Sequence, residues 1–248
     1  MNLHLPWVLL KTAWEIVELS LIVAGLYLAT RLYVRHRQPT WTEPLDRRRV
    51  AVLWLFALGA TATKITEDAL AGESGPIDEG IMFFLHSQVS LGLMDFFEAV
   101  SFSASAPALI SLTIAGTIAL VIAKRRFEAT LLASSVILSS LVVYAVKVIV
   151  GRERPSLWDT QWYWGSSFPS GHTLVVAAFA AASALIVIRL WPVARKFALV
   201  VALLWIVLVA FSRMILGVHW PTDVLAAACV GTAVPLGLRF VLEMRWEA

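Results

Sequence analysis

The chain has 248 residues, of which 59% are hydrophobic and only 15% are charged, and its formal net charge is +3 at pH 7. A soluble domain is about half apolar and a quarter charged, so this composition excludes an ordinary soluble domain and indicates a membrane protein. The basic residues lie between apolar runs, which favours a role in membrane topology over nucleic-acid binding. Because Cys229 is the only cysteine, an intrachain disulfide is excluded as well.

Seven apolar segments follow one another along the chain. The first, at about 8–30, is interrupted by Lys11, Glu15 and Glu18. Its length favours a transmembrane helix, with an interfacial helix and a signal peptide as the alternatives. The other six have about the 20 apolar residues that a bilayer requires and lie at about 50–68, 104–123, 128–150, 172–191, 196–216 and 222–240. We therefore predict an all-α fold, a multi-pass membrane helix bundle with six core transmembrane helices and an extra N-terminal one.

Positive charge orients the predicted bundle. Of the 20 Lys and Arg residues, 14 lie in four segments on one side of it, namely 31–49, 124–126, 189–196 and 239–245. Cytoplasmic loops carry an excess of basic residues, so we assign this side, with the C-terminus, to the cytoplasm and place the chain in the cell (inner) membrane. The opposite side is then periplasmic or extracellular, and it carries an acidic stretch at 67–79 and the loops 151–171 and 217–221.

The chain divides into two predicted parts. Residues 1–45 hold the N-terminal helix and a basic cytoplasmic loop, and residues 46–245 form a six-helix membrane domain. Within that domain, apolar residues of the outer segment 76–102 recur at roughly helical spacing. Such spacing predicts one or two amphipathic helices that lie on the membrane surface or cap the bundle.

Three polar clusters lie at the outer ends of the predicted helices. They comprise Lys147 and Arg154 at the end of one span, Ser170, Gly171 and His172 at the start of the next, and Arg213, His219 and Asp223 around a later helix end. Polar groups at this membrane depth are costly and usually functional. Residues of one chemical kind that gather at one depth from distant parts of the chain indicate a site.

The cations and the helix start are suited to a phosphoryl group. Lys147, Arg154 and Arg213 have no matching number of acidic neighbours in the sequence. Arginine binds phosphate oxygens with two parallel hydrogen bonds, and lysine acts as a compact point charge. Ser170 and Gly171 precede a helix, where backbone N–H groups and the helix dipole favour an anion. We therefore predict a phosphate-binding site.

Two histidines and one carboxylate supply the reactive groups. Asp223 follows His219 by four residues, so it can accept a proton from one ring nitrogen and leave the other as a nucleophile. His172, on a different helix, is then available to protonate a leaving group. The outer loops hold no His/Cys cluster at metal-ligand spacing, which is consistent with a site that uses neither a metal nor another cofactor.

The three clusters resemble the complete tripartite signature of the type 2 phosphatidic acid phosphatase family. They read Lys147-x6-Arg154-Pro155, then Pro169-Ser170-Gly171-His172, then Ser212-Arg213-x5-His219-x3-Asp223. The six-span pattern extends the similarity over about 50–240, and the first 45 residues lie outside it. One departure is Glu153, where many members have proline, and it places a negative charge beside the motif arginine.

The resemblance implies a role for each motif residue. His219 attacks phosphorus and forms a phosphohistidine, Asp223 orients it, and His172 protonates the leaving group. The phosphate oxygens are held by Lys147, Arg154, Ser170, Gly171 and Arg213, without a metal. The chain is then expected to be a lipid phosphate phosphatase acting on a membrane lipid such as undecaprenyl diphosphate, phosphatidylglycerol phosphate or phosphatidic acid. The motifs do not indicate which lipid, nor an oligomeric state.

Two other functions are weighed against this one. A phosphotransferase would share the phosphohistidine and pass the phosphate to an acceptor hydroxyl instead of water. A phosphate or lipid transporter should have polar groups near mid-membrane and two similar halves, and neither is evident in the sequence.

Several conspicuous residues are left out of the predicted site. Trp158, Trp162, Tyr163 and Trp164 are interpreted as an interfacial aromatic belt more readily than as a gate for a lipid headgroup. His86 has no partner at a useful spacing. Arg152 has no obvious partner near it in the sequence, and assistance in phosphate binding is left open for it.

Overall fold

The computed structural model describes residues 4–158 and 165–246, and all the regular structure in them is helical. The α-helices are α1 (His4–Arg37), α2 (Thr42–Arg47), α3 (Arg49–Ala71), α4 (Gly75–Gln88), α5 (Met94–Ser103), α6 (Ala106–Ile122), α7 (Arg126–Val150), α8 (Gly171–Leu190), α9 (Arg195–Ile215) and α10 (Pro221–Trp246). Short 3-10 turns lie at Pro39–Trp41, Leu91–Leu93 and Pro192–Ala194. The all-α prediction is therefore confirmed.

Six helical segments in the described residues are long and apolar enough to cross a membrane. They are Ala13–Arg37, Arg49–Leu70, Arg126–Val150, Gly171–Leu190, Pro192–Ile215 and Pro221–Arg245. The first of them begins later and ends later than the predicted 8–30, and its length and composition favour a transmembrane helix at the N-terminal end.

The predicted span at 104–123 differs from a single straight helix. Helix α6 has 17 residues, and it qualifies as a span only together with α5, from which it is bent by 44°. Ser105 causes the break: its backbone is extended, and its hydroxyl accepts a 3.5 Å hydrogen bond from the N–H of Ala108. Pro107 lies in the first turn of α6, where its missing N–H costs nothing. The outer segment thus contains α4 and α5, and α5 runs into the next span.

Contacts within the chain divide it into two compact units, one up to Thr61 and one from Ala62 onward. The division falls inside α3, so the boundary at 45/46 stays a prediction. In the first unit, Arg31 of α1 binds Asp46 of α2 with two hydrogen bonds of 2.8 and 2.9 Å. This guanidinium lowers the pKa of the Asp46 carboxyl below its usual value.

Helix α8 is central to the second unit, where it packs against α6, α7, α9 and α10. Small side chains make these close contacts possible. Ala180 and Ala184 of α8 meet Ala198 and Ala202 of α9. On the other flank, Gly231 of α10 lies directly against the backbone of α8. Without a hydrophobic driving force between helices in lipid, such small-residue contacts let the backbones approach and pack.

We predict that Gly231→Ala destabilises this unit. A Cβ at this position would overlap the backbone carbonyl of Leu174 and lie 2.8 Å from Cβ of Ala177, so α8 and α10 must separate. The expected loss is about 1–3 kcal/mol in the free energy of unfolding, measured as thermal or denaturant unfolding in detergent. Gly80→Ala in α4 is the matched control, because nothing lies within 4 Å of its added Cβ, and it should be neutral or slightly stabilising. Equal unfolding curves for the two variants would contradict the close contact.

Candidate active site

The three polar clusters meet at one end of the second unit. Lys147 is in the last turn of α7, Arg213 is in the last turn of α9, and Asp223 is in the first turn of α10. Ser170 is the N-cap of α8, and Gly171 and His172 are its first residues. Arg154 lies in the connection after α7, and His219 lies in the short loop between α9 and α10. The helices therefore bring together residues that the sequence separates.

Two glycines turn the chain at this end of the unit. Gly151 ends α7 with a φ of 65°, and Gly217 follows α9 with a φ of 70°. This left-handed conformation favours glycine and is a common way to end a helix. The segment before α8 is then fixed to the segment after α7, because the N–H of Ser167 donates to the carbonyl of Arg152 at 2.8 Å. Phe168 anchors it further by packing against Ala69 and Ala226.

Arg154 and Lys147 converge beside the imidazole of His219. Nη1 of Arg154 donates to the carbonyl of Val218 at 2.8 Å and lies 3.5 Å from Nε2 of His219. Nη2 of Arg154 is 3.5 Å from the carbonyl oxygen of Ser166, and Nζ of Lys147 donates to the same oxygen. Two cations from different elements therefore share one backbone acceptor next to Nε2 of His219.

Arg213 is buried, with 1% of its surface exposed. Its Nη1 donates to Oγ of Ser101 at 2.5 Å, so α5 of the outer segment reaches the site. Ser101 is not one of the predicted site residues, because it is 112 positions away from Arg213 and belongs to no motif. A buried guanidinium needs polar partners to offset its lost hydration, and Ser101 supplies one of them.

His219 and Asp223 lie side by side in the interior. Nδ1 of His219 is 3.5 Å from Oδ2 of Asp223, a long separation at the limit of a hydrogen bond. Oδ2 also accepts a 2.9 Å hydrogen bond from the backbone N–H of Trp220. Burial lowers the pKa of His219 to about 4, against the opposing effect of Asp223, so its ring is neutral at physiological pH. Nε2, the nitrogen farther from Asp223, is the one beside Arg154.

Ser170 differs from its predicted orientation in one respect. Its N–H donates to the backbone carbonyl of Asp223 at 3.3 Å, so this group ties α8 to α10 instead of pointing at open space. Its Oγ is 3.0 Å from Oγ1 of Thr173, and the side chain is fully buried. The first N–H groups of a helix have no acceptor within the helix, which leaves Gly171 and His172 as the backbone donors of α8.

A cavity of about 960 Å³ leads to this cluster. It is bordered by His172 and Val218 from the site, by Ser101 and other residues of α5, and by His86 and Trp158. The rings of His86 and Trp158 stack with their centroids 4.1 Å apart, so His86 has a partner that the sequence did not indicate. Trp158 thus lies in the cavity wall. The predictions for Trp162, Tyr163 and Trp164 fall outside the described residues.

Arg152 contacts the candidate site although it is not one of the predicted site residues. Its Nη1 donates to Oδ1 of Asp223 at 2.5 Å, and its Nη2 donates to Oδ2 of Asp78 at 2.9 Å. These partners are 71 and 74 positions away, so no local pattern could have revealed them. The side chain of Glu153 is exposed, and its backbone carbonyl accepts a 3.0 Å hydrogen bond from Nε1 of Trp220.

The cluster can bind an anion and offer it a nucleophile. Three cations and the start of α8 surround the neutral imidazole of His219, and its Nδ1 lies beside the carboxylate of Asp223. Phosphoryl transfer requires such an arrangement of positive charge, nucleophile and orienting carboxylate. In residues 4–158 and 165–246, the structure contains no group of three or more His, Cys, Asp or Glu that could hold a metal ion.

The part of the chain that holds these clusters is similar to known proteins. Residues 128–246 match a family model described as the PAP2 superfamily. Phosphatidylglycerophosphatase B of Escherichia coli K12 is 41% identical over 70 residues, which are 28% of this chain and 26% of that protein. Lipid A 1-phosphatase of Rhizobium etli is 30% identical over 108 residues, which are 40% of this chain and 43% of that protein. The aligned part therefore spans about a quarter to two fifths of these relatives.

The fold is that of a solved membrane protein. The crystal structure of a transmembrane PAP2 type phosphatidylglycerolphosphate phosphatase from Bacillus subtilis superimposes with a TM-score of 0.69, over 78% of this chain and 96% of that one, at 21% identity. The three clusters, which extend from Lys147 to Asp223, lie wholly inside the matched residues. The described residues are thus all-α with candidate membrane spans, and the part that matches the PAP2 superfamily model, residues 128–246, contains the candidate active site.

Proposed function

We propose that this chain is an integral-membrane, metal-independent phosphatase that removes a terminal phosphate from a membrane lipid through a phosphohistidine intermediate. One observation carries the proposal: a buried, neutral His219 has Asp223 beside Nδ1 and Arg154 beside Nε2, and its neighbour Val218 borders the same cavity as His172. The PAP2 superfamily match and the names of the relatives, both lipid phosphatases, support the same chemistry.

The reaction proceeds in two steps. Nε2 of His219 attacks phosphorus, the bond from phosphorus to the lipid oxygen breaks, and His172 donates a proton to that oxygen. Water then attacks the phosphohistidine and passes a proton to His172, the bond from nitrogen to phosphorus breaks, and inorganic phosphate leaves. The charge on the transferred group is stabilised throughout by Lys147, Arg154, Arg213 and the backbone N–H groups at the start of α8, at Gly171 and His172.

The substrate is proposed to be a lipid whose chains stay in the bilayer while its phosphate enters the cavity. The site lies at the ends of candidate spans, where a headgroup and a hydrocarbon region meet. The cavity of about 960 Å³ has room for a headgroup beyond the phosphate. Undecaprenyl diphosphate, phosphatidylglycerol phosphate and phosphatidic acid all present a terminal phosphate in this way.

The site is proposed to face the periplasm or the exterior. It lies at the Val150 end of α7, whereas Lys124, Arg125 and Arg126 lie at the opposite end of the same helix. The excess of basic residues marks that opposite end as cytoplasmic, with residues 239–245 on the same side.

His219→Ala should abolish phosphate release, because it removes the attacking nitrogen. The expected loss in kcat is at least about 10³-fold, with an unchanged unfolding curve in detergent. The measurement is free phosphate released from a panel of lipid phosphates by the purified protein. His36→Ala, an exposed histidine at the end of α1, is the matched control and should keep full activity. Near-normal release by His219→Ala would refute the nucleophile, and phosphate recovered on an acceptor lipid instead of in solution would identify a phosphotransferase.

His172→Ala should trap the phosphohistidine when the substrate is an aryl phosphate. An aryl leaving group needs no protonation, so the first step survives, while the second step loses the base that activates water. Alkaline quenching of the reaction with a ³²P-labelled substrate should leave acid-labile label on the protein, above the level of the unmodified chain. The double variant His172→Ala, His219→Ala should carry no label, and label that persists there would place the covalent intermediate on another residue.

Single-cysteine labelling should locate the site across the membrane. The starting protein is Cys229→Ser, because Cys229 is the only cysteine. In that background, Glu79→Cys on α4 should react with a membrane-impermeant maleimide in spheroplasts, whose inner membrane is intact. Arg125→Cys, at the basic end of α7, should react only after the membrane is permeabilised. Both positions are exposed, so accessibility in the folded chain does not limit either reaction. The reverse pattern would place the site on the cytoplasmic face.

A further inference from the structure

A buried polar network lies beside the site and uses residues outside the three motifs. Asp78 of α4 has only 1% of its surface exposed, and it is one of two buried residues in that helix, the other being Met82. Most of the other residues of α4 are exposed. Burying a carboxylate to this extent costs folding free energy unless several hydrogen-bond donors satisfy it. The donors around Asp78 therefore indicate which groups it fixes.

Both oxygens of Asp78 are occupied by donors that adjoin Asp223. Oδ1 accepts the backbone N–H of Thr222 at 3.1 Å. Oδ2 accepts Oγ1 of Thr222 at 2.7 Å, Nη2 of Arg152 at 2.9 Å and Oγ of Ser74 at 3.1 Å. Asp78 therefore binds the first turn of α10 and the loop after α7 at once, and Ser74 fixes it within its own helix.

Arg152 connects this carboxylate to Asp223. Its Nη1 donates to Oδ1 of Asp223 at 2.5 Å and to Oγ1 of Thr222 at 2.8 Å, while Nη2 is on Asp78. Both Nη groups are thus held by carboxylates, which keeps this guanidinium out of the group of cations around His219. Oδ2 of Asp223 is held separately by the N–H of Trp220. Each oxygen of Asp223 therefore has its own fixed donor.

We propose that Asp78 and Arg152 are positioning residues of the active site: Arg152 fixes the carboxylate of Asp223 toward His219, and Asp78 fixes Arg152 and the start of α10. The inference rests on the proposed function of His219 and Asp223. Without Asp78, the positive charge of Arg152 would be paired with the carboxylate of Asp223 alone, and the guanidinium could turn toward a bound phosphate. Asp223 would then lose a donor, and the imidazole that it orients would tilt from the line of attack.

A purely structural role makes a different prediction. Met82 is fully buried and packs with Met214 and Val224, so it also anchors α4, through apolar contacts. If Asp78 only anchored α4, then Met82→Ala and Asp78→Asn should affect the rate alike at equal losses of thermal stability. If Asp78 positions the reacting groups, the rate should fall only when the network is broken.

The test measures kcat and KM separately for four variants in detergent, with thermal unfolding measured on the same samples. Asp78→Asn and Arg152→Lys should each lower kcat by about 10–100-fold and leave KM within about two-fold, because a displacement of about 1 Å in a reacting group costs on this scale while phosphate binding is untouched. Met82→Ala should lower the melting temperature and keep kcat within a few-fold. Glu79→Gln, the exposed carboxylate next to Asp78, should change neither.

A double-variant cycle tests the order of action. If Asp78 acts through Arg152, then Asp78→Ala should lower kcat strongly in the unmodified chain and by less than about two-fold in the Arg152→Ala background. Arg152→Lys keeps the positive charge but cannot contact Asp78 and Asp223 with two separate Nη groups. The loss in kcat expected for this variant therefore tests the proposal even if the Asp78 variants do not fold.

Three results would overturn the inference while leaving the proposed function intact. They are a normal kcat in a folded Asp78→Asn variant, equal kcat losses in Met82→Ala and Asp78→Asn, and a raised KM at normal kcat in Arg152→Lys, which would make Arg152 a phosphate ligand. A chain without lipid phosphatase activity, or an active His219→Ala variant, would instead refute the proposed function.

Discussion

The carboxylate of Asp223 is the constraint on which the site depends. It is fully buried, so its charge must be matched by donors from every element around it. Arg152 supplies one from the loop after α7, and the N–H of Trp220 supplies another from the loop after α9. The backbone carbonyl of the same residue receives the N–H of Ser170 at the start of α8. Satisfying this one residue therefore fixes α8, α10 and two loops together.

Two cations of the site donate to backbone carbonyls. Lys147 donates to the carbonyl of Ser166, and Arg154 donates to the carbonyl of Val218. A neutral carbonyl satisfies a buried N–H without cancelling the charge of the cation. The carboxylates nearby, Asp78 and Asp223, are instead bound to Arg152. Arg152 therefore matches the charge of both buried carboxylates beside the site.

The outer helices belong to the site as much as the spans do. Helix α4 contributes Asp78, and α5 contributes Ser101, which receives Arg213 at 2.5 Å. Both helices also border the cavity, through His86 and residues such as Glu98. Because α5 continues into α6 across a 44° bend, the surface segment is joined to the bundle through Ser105 and Pro107. The amphipathic pattern at 76–102 predicted helices here, and their contacts with the site came only from the folded chain.

The sequence by itself determined the all-α class, the spans and the three clusters, because apolar length and helix-end residues are local properties. It also determined the neighbours His219 and Asp223, which are one helical turn apart. Tertiary structure alone decided the partners of Arg152, Arg213 and Ser170. Asp78 is 74 positions from Arg152, and Ser101 is 112 from Arg213, so each pair depends on how α4 and α5 pack. The hydrogen bond from the N–H of Ser170 to the carbonyl of Asp223 likewise depends on packing, because it joins α8 to α10. No local spacing in the sequence encodes the packing of two helices.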